Sequence, residues 1–155
     1  MTVTIDRADF AAPGLAAFLQ DHLDDLAPTA PAESRHALDL DGLRQPGTRL
    51  WVAVTESDGD LVGTGALAAV EPGHEEVKCM RTDPACRGRG IARQILRHLV
   101  DDARDRGVRR LSLETGSMDF FAPARALYAS EGFTTCGPYG SYVEDSNSTF
   151  MTRTL

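Results

Sequence analysis

The sequence contains little cysteine and no long hydrophobic segment. Its 155 residues include three cysteines, Cys79, Cys86 and Cys136, with no Cys-x-x-Cys pair, so we expect neither a disulfide framework nor a bound metal. No apolar run approaches the length that crosses a bilayer. The N-terminal residues lack the basic segment and apolar core of a signal peptide. We therefore expect a cytoplasmic protein with reduced thiols.

Basic residues are scarce as well. Lysine and arginine together number 16 against 23 aspartates and glutamates, which gives a formal net charge of -7, and Lys78 is the single lysine. An excess of negative charge opposes binding to nucleic acids and to anionic membranes, so we expect neither as a partner. The hydrophobic content of 42% and charged content of 25% are ordinary for a globular chain. The length suits one domain over residues 1–155.

Hydrophobic periodicity predicts the element order β-α-α-β-β-β-α-β-α-β-β. The predicted strands cover residues 2–5, 49–55, 61–70, 75–82, 110–115, 133–136 and 149–155. The predicted helices lie between Pro13 and Pro28 and over residues 32–43, 90–106 and 122–131. Tight turns between the second, third and fourth strands predict antiparallel pairing, and the strand–helix–strand unit after them predicts a right-handed parallel crossover. The fold class is therefore α/β, with a mixed central sheet flanked by helices.

The segment from Met80 to Ala92 links the fourth predicted strand to the longest predicted helix. Gly88 and Gly90 within it allow close approach of a ligand to the main chain. The first N–H groups of a helix have no internal partner and lie at the positive end of its dipole, which favours phosphate oxygens. Arg87 and Arg89 add positive charge at the same place. The segment therefore predicts a pyrophosphate site between a strand and a helix.

Two common phosphate-binding loops do not fit this segment. A dinucleotide fingerprint that starts at Gly88 needs a third glycine where Arg93 stands, and a P-loop needs a Gly-Lys-Ser/Thr ending that is absent. The pattern Arg-x-x-Gly-x-Ala, read at Arg87, Gly90 and Ala92 after Asp83-Pro84, instead resembles the acetyl-coenzyme A loop of the GNAT acetyltransferase superfamily. The alternative is an ordinary glycine-containing turn before a surface helix.

The second half of the chain carries more of this resemblance. Ala124–Tyr128 followed by Glu131-Gly132-Phe133 looks like the GNAT helix that ends in Leu-Tyr-x-x-x-Gly-Phe. The segments 111–117 and 145–151 are similar to the YsnE-like bacterial branch of the superfamily. The resemblance covers residues 48–155 well and the first 47 residues loosely. It implies a GNAT-like sheet of about seven strands with about four helices. It also implies N-acetyl transfer from acetyl-CoA to a primary amine, by direct attack in a ternary complex.

The same resemblance implies which residues hold the cofactor. In this family the fourth strand carries a bulge and splays from the next strand, and its backbone pairs with pantetheine. Here that contact falls on Met80, Arg81 and Thr82. The pyrophosphate contact falls on the main chain of Arg87, Gly88, Arg89, Gly90, Ile91 and Ala92. Many members have an asparagine seven residues before the helical tyrosine. Phe121 stands there, so that amide contact does not carry over.

Three residues are the catalytic candidates. Tyr128 keeps its proton at neutral pH, since an ordinary tyrosine pKa is roughly 10, and is the predicted general acid for the leaving thiolate. Glu76 or Glu114 is the predicted general base, acting directly or through water, and Glu114 is alternatively a binding residue for a cationic substrate. The alternatives are a packed core tyrosine, strand carboxylates that are merely solvated or ion-paired, and an amine that arrives already deprotonated.

Four further residues are expected near the acceptor. His36 lies on the second predicted helix, which borders the acceptor pocket in this superfamily, and Tyr139, Tyr142 and Asn147 fall in the loop before the last strand. The acceptor amine, in a small molecule or a peptide or protein, is not identified. A non-catalytic acyl-CoA sensor and a nucleotide-binding protein outside the family stay open as alternatives. A homodimer is also possible, because dimers are common in the superfamily.

Overall fold

The computed structural model describes residues Met1–Leu155 as four α-helices and seven strands. The strands are β1 (Val3–Arg7), β2 (Thr48–Thr55), β3 (Leu61–Glu71), β4 (His74–Thr82), β5 (Arg110–Gly116), β6 (Thr134–Cys136) and β7 (Ser148–Thr154). The helices are α1 (Leu15–Leu26), α2 (Leu40–Leu43), α3 (Ile91–Asp105) and α4 (Ala122–Ser130). This order of elements matches the predicted order.

All seven strands form one mixed sheet in the order β1-β2-β3-β4-β5-β7-β6. Neighbouring strands are antiparallel except β4 and β5, which are parallel and are connected through α3. The positive φ angles of Gly59 and Gly73, 72° and 78°, allow the tight turns that connect β2 to β3 and β3 to β4. The predicted mixed sheet, its antiparallel half and its parallel crossover are confirmed.

Helix α3 covers one face of the sheet and packs closely on β3. Two β3 glycines, Gly63 and Gly65, permit this approach. A Cβ added at Gly65 would lie 2.5 Å from Cγ2 of Ile95, which is too close for real atoms. Ile95 and Leu99 of α3 are almost fully buried here. A second apolar cluster joins α1 and α2 to the sheet through Leu15, Leu19, Leu43, Leu50 and Ala66.

The predicted continuous helix over residues 32–43 is wrong. The structure has a short 3-10 turn at Ala32–Ser34, an extended segment that begins at Arg35, and a separate helix α2 of four residues. Asp39 starts α2 as its N-cap, because its carboxylate accepts a hydrogen bond of 2.9 Å from the Gly42 N–H. The segment contains too few apolar residues for their spacing to distinguish one helix from two short turns. His36 therefore lies on an extended connection, not on a helix.

Strands β4 and β5 separate after a short stretch of pairing. They pair only over residues 74–76 of β4 and 110–112 of β5. Beyond this stretch β4 carries a bulge, since Cys79 and Met80 lie opposite the single residue Gly65 of β3. Cys79 has φ of +54°, and its carbonyl accepts a hydrogen bond of 2.8 Å from the Thr64 hydroxyl. The bulge and the splay that the resemblance implied are both present, and they open a gap in the middle of the sheet.

Candidate active site

A cavity of about 150 Å³ lies where β4 and β5 diverge. Its walls come from β4, from the end of β5, from α4, and from the end of α1 and the connection that follows it. Met80 and Lys78 line it from β4, Glu114 from β5, and Tyr128 from α4. The gap in the sheet thus brings together two of the three predicted catalytic residues.

Tyr128 presents a free hydroxyl to this cavity. Its ring is 6% exposed and packs edge-on against Phe133, with ring centroids 5.9 Å apart. The hydroxyl takes part in none of the side-chain hydrogen bonds of the structure, although Tyr128 lines the cavity. Burial raises the pKa of Tyr128 well above its ordinary value, so the hydroxyl keeps its proton. It is therefore able to donate that proton to an anion formed in the cavity.

Glu114 is the carboxylate that lines the cavity. It lies on β5, in the part of the strand that has already separated from β4. Burial raises the pKa of Glu114 above its ordinary value. It forms none of the ion pairs of the structure. A carboxylate with a raised pKa is a stronger proton acceptor than an exposed one, which suits a general base.

Glu76, the other predicted base, has a different environment. It is 9% exposed and does not line the cavity. Its Oε2 accepts hydrogen bonds from the hydroxyls of Tyr139 at 2.8 Å and Tyr142 at 2.5 Å, and it lies 3.4 Å from Lys78 Nζ. Burial, together with the Glu76 charge, raises the pKa of both tyrosines, so they remain protonated donors. Through these two hydrogen bonds, Glu76 holds the loop before β7 against β4.

The main chain of β4 is open on the side that faces the gap. Met80, Arg81 and Thr82 have no strand partner on the β5 side, since pairing with β5 ends at Glu76. The Arg81 side chain forms an ion pair of 2.7 Å with Asp25 and lies over the Phe18 ring. Arg81 is therefore available to a ligand in the gap through its backbone, while its side chain joins β4 to α1.

The loop between β4 and α3 has the features of an anion site. Gly88 and Gly90 have φ of +76° and +79°, and a Cβ added at either would meet no atom within 4 Å. Gly90 caps α3 without a side-chain hydrogen bond, and the first N–H groups of the helix, from Ile91 onward, have no intrahelical acceptor. Arg87 and Arg89 are exposed beside them. Open space, free N–H groups and positive charge together fit a diphosphate.

Comparison with known proteins identifies the family. The sequence profile of the acetyltransferase (GNAT) family matches residues 15–133. The chain belongs to the GNAT family. Its relatives include YsnE of Bacillus subtilis, an uncharacterised N-acetyltransferase, which is 44% identical over 155 residues, the whole of both chains. The IAA acetyltransferase of Azospirillum brasilense is 44% identical over 126 residues, which are 81% of this chain and 80% of that protein.

Solved structures agree with this family. A Klebsiella pneumoniae structure assigned to the acyl-CoA N-acyltransferases superposes with a TM-score of 0.80 at 29% identity, and the match covers 99% of this chain and 97% of that one. The predicted family, its YsnE-like branch and the fold are thereby confirmed, and this GNAT protein is an acyltransferase. None of its helices is long and apolar enough to cross a membrane, and no cluster of three metal-binding side chains is present.

Phe121 takes the place of the asparagine found in many GNAT proteins. It lines the cavity, and its ring covers Gly116 so closely that a Cβ there would lie 2.1 Å from the ring. Arg125 holds the same turn, donating hydrogen bonds of 2.7 Å to the Gly116 carbonyl and 3.0 Å to that of Met118. In this GNAT protein the position therefore offers an apolar surface and no amide.

Helix α1 and the connection that follows it supply residues that the sequence did not single out. His22 and Arg35 both line the cavity. Burial, followed by the charge of Arg81, lowers the pKa of His22 to about 4, so His22 is neutral at physiological pH. Of the predicted acceptor-side residues, His36 and Asn147 line the cavity, whereas Tyr139 and Tyr142 do not. The only signal for Arg35 was its place in the segment that borders the acceptor in GNAT proteins, and His22 in α1 had no such signal.

Proposed function

We propose that this protein transfers the acetyl group of acetyl-CoA to the primary amine of a small molecule or peptide, with both substrates bound at once and no acyl-enzyme. One observation carries this proposal. A buried, protonated and unbonded tyrosine hydroxyl shares a cavity with a carboxylate of raised pKa, at the place where β4 exposes its main chain. The cavity therefore holds a proton donor and a proton acceptor on separate walls, the pair that general acid–base catalysis of amine acylation uses.

The proposed acetyl-CoA site uses the chain's main-chain groups. Residues 87–92 would hold the diphosphate through N–H groups at the start of α3, with Arg87 and Arg89 adding charge-assisted hydrogen bonds. Met80, Arg81 and Thr82 would hold pantetheine along the open edge of β4. Acetyl-CoA supplies the activated acetyl thioester. Binding along β4 brings its reactive end beside Met80 and Tyr128, which line the same cavity.

The proposed chemistry assigns one proton transfer to each wall. Glu114 accepts a proton from the acceptor ammonium, and the freed amine nitrogen attacks the acetyl carbon. As the bond between that carbon and sulfur breaks, Tyr128 donates its proton to the departing sulfur. Glu76 is the second candidate for the base. Because it does not line the cavity, it would act through Lys78, which lines the cavity and contacts its carboxylate.

A thiol-release assay tests the proposed function. The purified chain is incubated with acetyl-CoA and a mixture of amines, free CoA is measured with a thiol reagent, and mass spectrometry identifies the acetylated product. We expect amine-dependent thiol release. If calorimetry shows that acetyl-CoA binds but no amine causes thiol release, the protein is instead an acyl-CoA sensor. Equal thermal protection by ADP and by CoA, with no gain from the acetyl group, would indicate a general nucleotide-binding protein.

A further inference from the structure

The charged residues that line the cavity do not balance each other in pairs. Lys78 lies 3.4 Å from the Glu76 carboxylate, and both side chains are nearly buried, so this cation already has its counter-charge. His22 is neutral. Two charged groups of the cavity wall, the Arg35 guanidinium and the Glu114 carboxylate, form no ion pair. The cavity thus presents one unmatched positive charge and one unmatched negative charge.

Arg35 has no structural task that accounts for its position. It is exposed and takes part in no ion pair, side-chain hydrogen bond or ring contact of the structure, while its backbone is held at the end of the 3-10 turn. The preceding residue, Ser34, is buried and accepts a hydrogen bond of 3.4 Å from Asn147 Nδ2. Asn147 and Arg35 both line the cavity. The segment is therefore anchored to the loop before β7, which places Arg35 at the cavity.

The coenzyme does not provide an evident partner for Arg35. The proposed diphosphate site lies at residues 87–92, and none of these residues lines the cavity to which Arg35, Glu114 and Tyr128 belong. Arg35 thus lies at the reacting end of the site, where the acceptor enters. A guanidinium binds a carboxylate through paired N–H donors with well-defined geometry, so a carboxylate on the acceptor is the group that it would recognise.

We infer that the acceptor is a free amino acid, whose amine lies toward Glu114 and whose carboxylate binds Arg35. This inference rests on the proposed acetyltransferase function and narrows its substrate class. The cavity volume of about 150 Å³ admits a small molecule, and Leu26, Met118 and Phe121 offer apolar surface to its side chain. A peptide N-terminus does not match, because its α-carboxylate has become an amide.

The reaction balances with the groups in place. Glu114 takes one proton from the α-ammonium, the amine nitrogen forms a bond to the acetyl carbon, and the bond from that carbon to sulfur breaks. The departing sulfur takes the Tyr128 proton and leaves as the thiol of CoA. The carboxylate stays bound to Arg35 throughout and undergoes no change. The product is an N-acetyl amino acid, and no oxidant or reductant is consumed.

Matched acceptors test the inference directly. Each common L-amino acid is compared with the amine that lacks its α-carboxylate and with its α-amide, and kcat/KM is measured by thiol release. We expect at least one amino acid to exceed both of its analogues by about 10- to 100-fold, the range expected for one charge-assisted hydrogen bond. Analogues acetylated as fast as the amino acids would overturn the inference while leaving the proposed function intact.

Two arginine variants of equal charge change complete the test. Arg35→Gln is expected to raise KM for the preferred amino acid by about 10- to 100-fold, with KM for acetyl-CoA unchanged and no effect on the decarboxylated amine. Arg109→Gln, an exposed arginine outside the cavity, is the control and is expected to change neither KM. Equal effects of the two variants, or equal loss for amine and amino acid in Arg35→Gln, would overturn the inference.

A binding measurement separates this inference from turnover. The preferred amino acid is titrated by calorimetry into the chain saturated with CoA, which cannot transfer an acetyl group. We expect binding to the wild type and a loss of about 10- to 100-fold in affinity with Arg35→Gln. If acetyl-CoA binds but no acceptor of any kind releases thiol, the proposed function fails and this inference fails with it.

Discussion

The buried Tyr128 and the half-buried Tyr139 and Tyr142 have different hydrogen bonds, so removing the Tyr128 hydroxyl should have a different result from removing either of the others. Tyr139 and Tyr142 donate to the nearly buried Glu76 carboxylate at 2.8 and 2.5 Å, whereas the Tyr128 hydroxyl has no protein partner. Loss of one hydrogen bond to a charged group costs about 1.5–3 kcal/mol. At about 2–4 °C per kcal/mol for a chain of this size, Tyr139→Phe and Tyr142→Phe should each lower Tm by about 3–12 °C.

Tyr128→Phe should instead leave Tm unchanged and lower turnover. No hydrogen bond is lost, and the ring keeps its packing against Phe133. Loss of a general acid reduces kcat by about 10²–10⁴-fold, while the affinity for acetyl-CoA should stay the same. Thermal unfolding, calorimetry with CoA and thiol release measure the three quantities on one set of variants. A Tyr128→Phe variant with wild-type turnover would remove the hydroxyl from the chemistry. A fall in its Tm as large as that of Tyr139→Phe would show that the hydroxyl has a structural partner.

Three further predictions test the cofactor loop, the base and the sheet. Gly90→Trp and Gly59→Trp should destabilise the fold similarly, because both glycines have positive φ and open space, but only Gly90→Trp should abolish CoA binding in calorimetry. Unchanged affinity of Gly90→Trp for CoA would refute the proposed diphosphate site at residues 87–92. Burial raises the pKa of Glu114, so its charged form opposes folding. Glu114→Gln should therefore lower kcat yet raise Tm at neutral pH, with the gain vanishing below roughly pH 4, where the unfolded carboxylate is protonated; a gain that persists in acid would contradict this. Gly65→Ala should destabilise by about 1–3 kcal/mol through contact with Ile95, unlike Gly137→Ala, where a Cβ meets nothing within 4 Å, and equal denaturation midpoints would refute the close packing.

The fold was predictable because local signals and tertiary packing agree over most of the chain. Turn residues such as Asp58-Gly59 and Pro72-Gly73 separate strands of clear apolar character, and α3 has a regular apolar stripe. The prediction of one helix over residues 32–43 was wrong because the few apolar residues of this segment fit one helix or two short turns equally well. There the N-cap hydrogen bond of Asp39 decided the start of α2.

The candidate site was predictable in its motifs but not in its charges. The loop of Gly88 and Gly90 and the helix of Tyr128 have recognisable spacing along the chain. The different surroundings of Glu76 and Glu114 have no such signal, because they depend on how an irregular loop folds back to place two tyrosines on β4. Arg35 was missed for the same reason, since contacts between distant loops leave no period in the sequence.

The divergence of β4 from β5 exposes the main chain of β4 to a ligand without creating an outer strand edge on which another molecule could add a strand. Unpaired strand edges are templates on which other chains add a strand and begin to aggregate. The unpaired edge of β4 faces β5 of its own sheet. The gap between the two strands closes where residues 74–76 pair with residues 110–112. A strand of another molecule could pair with this edge only if the pairing between β4 and β5 were broken. The unpaired main-chain groups of β4 are thus open to a narrow ligand but closed to a strand of another molecule.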